Sequence, residues 1–186
     1  MLPKAKVTRD MVVEAAFAVA RTAGAELVNA RTVAQELGCS TQPVMYHFAT
    51  IEALKRAVYA KADRYHSDYL MKTEDVPLGI GLNYIRFAIE EPHLFRFLFQ
   101  SGFAVEGSLP EMLDSAELTP ILAAMQGALG MSAAQTKRIF TTVALFTHGY
   151  ASLLANNGLD YDEAAAAEQL ERVWRGAVLC EKEGSI

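Results

Sequence analysis

The chain has little of what builds reactive or cross-linked sites. Among 186 residues there are two cysteines, Cys39 and Cys180, with no CxxC or other metal-ligand spacing. That excludes a disulfide scaffold or zinc ribbon and suits a reducing compartment. The four histidines, His47, His66, His93 and His148, form no HExxH pair. Glu90 and His93 match the ExxH of helical di-iron sites, but that chemistry needs a second copy, and Pro92 interrupts the helix between them. GxGxxG, Walker and GxSxG motifs are missing as well, so no cofactor, no metal and no enzymatic activity are expected. No apolar run approaches the roughly 18 residues of a membrane span, and the N-terminal Met1 to Asp10 stretch lacks the apolar core of a signal peptide. The expectation is a cytoplasmic protein with no membrane partner.

What is present points to a packed helical protein. Hydrophobic residues make up 52% and charged residues 21% of the sequence, enough to bury a core and leave apolar surface for a partner or ligand. The net charge of −5 is unevenly spread: residues 1 to 65 carry nine Lys/Arg against six Asp/Glu, giving +3, and the remainder carries eight against sixteen, giving −8. A basic N-terminal third on an acidic body fits a localised phosphate-binding surface.

Residues 29 to 48 read as two short helices joined by a tight turn. Asn29 can cap the first, which runs to Leu37, and Gly38 supplies the positive φ that turns the chain. Ala34 is small enough for close helix approach, and Val33, Leu37 and Val44 supply an apolar seam. The second helix begins at the cap Ser40, with Pro43 tolerated in its first turn. It offers Ser40, Thr41, Gln42, Val44, Tyr46 and His47 outward, an unusually polar face that suits base edges and phosphates. The same spacing also fits a plain corner in an all-α domain.

On its Leu37-Gly38-Cys39-Ser40 turn, its Tyr46-His47-Phe48 ending and the following Glu52-Ala53-Leu54, the first third of the chain resembles the N-terminal domain of the TetR family of bacterial transcriptional regulators. The resemblance implies an all-α protein: a three-helix helix-turn-helix domain, residues 1–60, joined by a long helix to a C-terminal ligand-binding and dimerisation domain, residues 61–186. It implies that Asn29, Arg31, Thr50 and Lys55 join the outward face of the second helix in contacting a double-stranded DNA operator. Two positions depart from the family pattern: Met45 stands where a phosphate-contacting tyrosine is usual, and Ile51 where a lysine is usual. Both predict a weaker grip on the backbone, with Tyr46, Thr50 and Lys55 compensating. Lys4, Lys6 and Arg9 either lie along phosphates or form a basic, frayed tail.

Periodicity organises the rest. Thr8 caps a helix with Met11, Val12, Ala15, Ala16, Val19, Ala20 and Ala23 at helical spacing, ended by Gly24. A long helix from Thr50 to about Met71 carries Leu54, Val58, Ala62 and Tyr65 in one stripe, and the Thr73 to Pro77 break places the start of the second domain near Val76. Residues 78 to 90 form a further helix with Leu82, Ile85, Phe87 and Ile89 apolar, stopped at Glu91-Pro92. The segment 102–119 is loop-rich, either an entrance flap or an excursion. Helices follow over 118–129, from Ser132 to Asn156 and from Asp162 to about Glu181.

The family resemblance gives these helices roles. A Glu-Pro-His-Leu-Phe segment such as that at 91–95 opens a helix beside the ligand cavity, which makes Phe87, Phe95, Phe99 and Phe103 candidate lining, joined by Met125 and His148. The last two helices pair with their symmetry copies, so Phe146, Tyr150, Leu153, Leu154, Leu170, Val173, Trp174 and Ala177 are the expected homodimer interface. The functional expectation is a ligand-responsive DNA-binding regulator, a repressor released from its operator by an unknown small molecule. The alternative is a helical small-molecule-binding or enzymatic domain with vestigial DNA binding, for which Met45 and Ile51 speak.

Overall fold

Thr8 sets the start of the first helix. Its hydroxyl oxygen accepts from the Met11 backbone N–H at 3.2 Å, satisfying one of the donors that a helix N-terminus leaves open. The helix, α1 (Arg9–Ala23), buries Val12, Ala15, Ala16, Phe17 and Ala20 on one face. It ends at Gly24, where φ is +102° and an added Cβ would sit 2.2 Å from a Glu26 carboxylate oxygen. The computed structural model describes residues 7–75, 78–103 and 118–184, and among them every regular element is a helix. Lys4 and Lys6, the Val76 domain start and most of the proposed 102–119 flap lie outside the described residues.

After a single 3-10 turn (Ala25–Leu27) comes α2 (Ala30–Glu36). Asn29 caps it as expected: its side-chain oxygen accepts from the N–H groups of Arg31 and Thr32 at 2.9 and 3.0 Å, and its own N–H donates to the Thr32 hydroxyl at 3.2 Å. Gly38, at φ +62°, makes the turn into α3 (Thr41–His47). Ser40 occupies the cap position there, but its hydroxyl makes no capping bond. Val33, Ala34 and Val44 are buried in the seam between α2 and α3.

Helix α4 (Ile51–Leu70) follows, its first turn closed by the Thr50 hydroxyl, which accepts from the Ala53 N–H at 3.1 Å. Its buried stripe is Leu54, Val58, Ala62 and His66. The expected fourth member, Tyr65, is only half-buried, because a strict four-residue step from Leu54 lands on His66. Then come α5 (Leu78–Glu90) and α6 (Pro92–Phe99), the latter with proline at its first position, where a missing N–H does no harm. The chain continues through α7 (Thr119–Leu129), α8 (Ala133–Asn157) and α9 (Glu163–Glu183). Ser132 and Gln135 form a capping box on α8, and the Asp162 carboxylate accepts from the Ala165 N–H on α9.

These elements group into two compact units, Met1–Ser67 with Glu91–Ala104, and Asp68–Glu90 with Val105–Ile186. In the first, α6 packs on α1 and buries Leu94, Phe95, Phe97 and Leu98. The His66 ring lies edge-on to Phe99 at 5.1 Å between centroids. In the second, α8 packs on α5, α7 and α9 around Met125, Ile139, Val143 and Leu170. Gly81 permits close approach of α5 to α9, since a Cβ there would meet a Leu170 methyl carbon at 2.7 Å. Asn83, unexpectedly buried, donates through its amide to the carbonyls of Leu70 and Lys72 at 3.2 and 3.3 Å, satisfying acceptors at the end of α4. Ile89, expected on the apolar face of α5, is exposed.

Burial lowers the His66 pKa to about 4. The unfolded chain, with an ordinary value near 6.5, therefore takes up this proton first as pH falls. The stability contributed by neutral His66 is complete above about pH 6.5 and is lost progressively as the pH drops towards 4, on the order of 2 kcal/mol between pH 7 and pH 5. Urea unfolding at the two pH values should reveal that loss. The same comparison on His66→Gln should show a clearly smaller one, and an equal loss in the variant would mean that other groups carry the pH dependence.

Candidate nucleic-acid interface

Two seven-residue helices are too short to hold their shape alone, so the outward face of α3 depends on what it is packed against. Val44, fully buried, anchors α3 to α2 and has no surface to offer a base edge, which corrects its place among the expected DNA contacts. The Arg9 guanidinium lies over the Phe48 ring at 4.6 Å, clipping the start of α1 to the end of α3. His47 is turned inward and half-buried, with its Nε2 2.9 Å from the Val7 carbonyl oxygen and its ring edge-on to Tyr46. It supports the face more than it belongs to it.

What remains outward on α3 and its flanks is Ser40, Thr41, Gln42, Met45, Tyr46, Ala49 and Thr50, all exposed, with Tyr46 at 77% the most exposed large hydrophobic residue among the described residues. Arg31 on α2 is exposed too. Asn29 is half-buried with its side-chain oxygen committed to capping α2. Lys55 is half-buried and lines a cleft shared with α6. The exposed set is hydrogen-bonding and mostly uncharged, with one thioether, Met45, in its middle.

The same unit holds a feature that no sequence pattern flagged. The Glu91 carboxylate, buried just before α6, accepts from Arg21 Nε at 2.8 and 2.9 Å and from Arg21 Nη2, and also from the Tyr65 hydroxyl at 2.9 Å. The Arg21 guanidinium in turn lies over the Tyr65 ring at 5.3 Å. Hydrogen bonding to Glu91 holds the Arg21 pKa above even its ordinary high value. Residues 70 apart in sequence thereby join α1, α4 and α6 within the first unit. The local sign was the Glu91-Pro92 helix start; nothing marked Arg21.

Residues 78–176, just over half of the chain, match the family model of the tetracyclin repressor-like C-terminal domain. The chain belongs to the TetR family of transcriptional regulators. Its fold agrees: a TetR-family transcriptional regulator from Streptomyces coelicolor superposes with a TM-score of 0.73 at 16% identity, over 95% of this chain and 82% of that one. A putative TetR-family regulator from Mesorhizobium loti MAFF303099 gives 0.51 at 15% identity, over 93% and 94%. No curated protein matches by sequence.

The residues expected around a TetR-type ligand belong to both units. Phe87 is fully buried with its ring edge-on to Tyr69, and Met125 sits in the core cluster of the second unit. Phe95 and Phe99 pack on each other in the first unit, and Phe103 lines the cleft beside Lys55. His148 is 2.9 Å from the Tyr84 hydroxyl through Nδ1 and 3.3 Å from the Ser152 hydroxyl through Nε2. Burial lowers the His148 pKa and raises that of Tyr84, so this chain of groups is neutral at pH 7. Among the described residues no cluster of His, Cys, Asp or Glu could hold a metal, and no helix is long and apolar enough to cross a membrane.

The expected dimer residues divide similarly. Leu154 and Leu170 are buried in the core of their own subunit, and Phe146, Val173, Trp174 and Ala177 pack partly against that core. Tyr150 is half-buried beside Phe146, while Leu153 is 57% exposed. Because Ile139, Val143, Thr147, Ala151 and Leu154 make the inward stripe of α8, the outward one runs through Leu145, Gly149 and Leu153. Leu145 on α8 and Leu179 on α9 are 48% and 54% exposed.

Removing the Glu91 charge tests the pin between α1, α4 and α6. Glu91→Gln keeps the shape but weakens a charge-assisted network, and it should destabilise the protein by roughly 1–3 kcal/mol. Urea unfolding followed by circular dichroism reads this directly; an unchanged midpoint would show that the network contributes little.

Proposed function

We propose that the protein is a homodimeric, ligand-responsive repressor that binds a double-stranded DNA operator through α3 and is released by a small molecule. The observation that carries the reading is the exposed, hydrogen-bonding surface of α3, with Tyr46 at its apex, on a chain of the TetR family. Thr41, Gln42 and Tyr46 are the proposed base-reading or phosphate-contacting groups, with Ser40, Thr50, Arg31 and Lys55 positioning the backbone. Met45 and Ile51 offer no charge or hydroxyl to phosphates, so the salt dependence of binding is set by few cations.

Functionally, we divide the chain near residue 60 into a DNA-reading part and a ligand-binding and dimerisation part. Two DNA-reading parts must meet successive major grooves about 34–36 Å apart. A ligand bound in the C-terminal part, with His148 and Tyr84 as hydrogen-bonding groups, would bias α4 and change that separation. Only a ligand that prefers one arrangement over the other can do so. The dimer surface we assign to Leu145, Gly149 and Leu153 of α8 with Gly176 and Leu179 of α9. The exposed leucines there supply apolar area, and the two glycines leave room for a facing helix.

Selection from a random-sequence duplex pool tests the reading. The protein should enrich a two-fold symmetric site and hold it with log affinity falling linearly in log salt. Enrichment of no sequence would overturn the proposal and leave a helical binding domain without gene-control activity. Tyr46→Ala should lower affinity for the selected site by on the order of tenfold, equivalent to about 1.4 kcal/mol, with oligomeric state unchanged. Leu153→Glu should instead give a folded monomer by analytical ultracentrifugation; a persistent dimer would place the interface elsewhere.

A further inference from the structure

We infer that Met45 reads the methyl group of a thymine in the major groove, and so selects a T·A pair at one fixed position of each half-site. The assignment rests on the proposed function and adds the contact that hydrogen bonding cannot supply.

Four residues of α3 are exposed, Thr41, Gln42, Met45 and Tyr46, while Val44 fills the seam with α2 and Pro43 and His47 are half-buried. Residues three and four apart share a helix face, so Met45 stands beside Gln42 and Thr41. It is a long apolar side chain, 43% exposed, on a helix whose other three exposed side chains all carry hydrogen-bonding groups.

Elimination against a duplex leaves it one counterpart. A thioether donates no hydrogen bond and accepts only weakly. It therefore gains nothing from a phosphate oxygen, from guanine O6 and N7, from adenine N7 or from thymine O4, all of which are acceptors. Against the amino group of adenine or cytosine it would displace water without replacing the bond that the water made. The C5 methyl group of thymine is the one apolar feature that a base pair shows to the major groove. Met45 meets it with a polarisable sulfur and three rotatable bonds, so the side chain can follow the methyl group without moving the helix. Gln42 completes the step, since its amide fork matches N6 and N7 of adenine. Neighbouring Cβ atoms on a helix face lie about 5–6 Å apart and base pairs about 3.4 Å apart, so that adenine and this methyl group fall within about two pairs of each other.

Uracil scanning of a duplex selected by the full-length protein tests the contact, because deoxyuridine lacks only the methyl group and keeps every hydrogen bond of thymidine. One thymine per half-site should respond, its replacement lowering affinity about fourfold, the worth of one buried methyl group. Met45→Ala should bind the thymine duplex more weakly by a similar factor and be indifferent to that uracil, whereas Met45→Leu, with its apolar end, should still discriminate. The position is exposed and both replacements are good helix formers, so both variants should fold. No responsive thymine, an equal loss in wild type and Met45→Ala, or a Met45→Leu variant as indifferent as Met45→Ala would each overturn the assignment and leave duplex selection, and with it the repressor reading, standing. Enrichment of no duplex would remove the repressor reading and this contact together. A synthetic pool contains no 5-methylcytosine, so the methyl group that responds is thymine's.

Discussion

A buried carboxylate beside a helix start organises the first unit. An isolated ion moved out of water is destabilising by several kcal/mol, so Glu91 is tolerable only because Arg21 reaches it with two nitrogens and Tyr65 with a hydroxyl. Each partner sits on a different helix, and each can reach the carboxylate only if α1, α4 and α6 keep their places. Arg21 is itself about half exposed, so the network is a pin between rigid elements more than a large source of stability. Its geometric effect exceeds its energetic one.

The helix-turn-helix inherits this order. Neither α2 nor α3 has the length to persist alone; they close on each other over Val33, Ala34 and Val44, both pack on α1, and the Arg9–Phe48 contact ties the start of α1 to the end of α3. His47 spends its ring on the Val7 carbonyl, which draws the residues before α1 towards the end of α3. The outward surface is what remains once these inward obligations are met: short polar side chains, one thioether and a projecting tyrosine. A surface so held needs little rearrangement to meet a rigid partner.

Much of this was legible in sequence because helix punctuation is local. Thr8, Gly24, Asn29, Gly38, Ser132 and Gly130 mark ends that the backbone confirms to within a residue, and a four-residue step finds most buried positions. The TetR family and the all-α fold followed from the same short stretch. Three kinds of information were not local. Inward and outward phase on a long helix is decided by a few tens of degrees, which is why Tyr65 was read for His66. Val44 and His47 were assigned outward because composition of a short helix does not say which of its residues must fill the seam. Contacts distant in the chain, Arg21 with Glu91 and Asn83 with the end of α4, leave no periodic trace, and the return of α6 to the first unit came with them.

Hydroxyl-radical footprinting on a duplex chosen by the protein tests most directly whether the surface around Tyr46 reads DNA as a pair. Two protected patches on one side of the helix, centred about 10–10.5 base pairs apart or a whole multiple of that, are expected from two copies of α3 in successive major grooves. A single patch, a spacing that puts the two on opposite sides of the duplex, or uniform cleavage at saturating protein would contradict it.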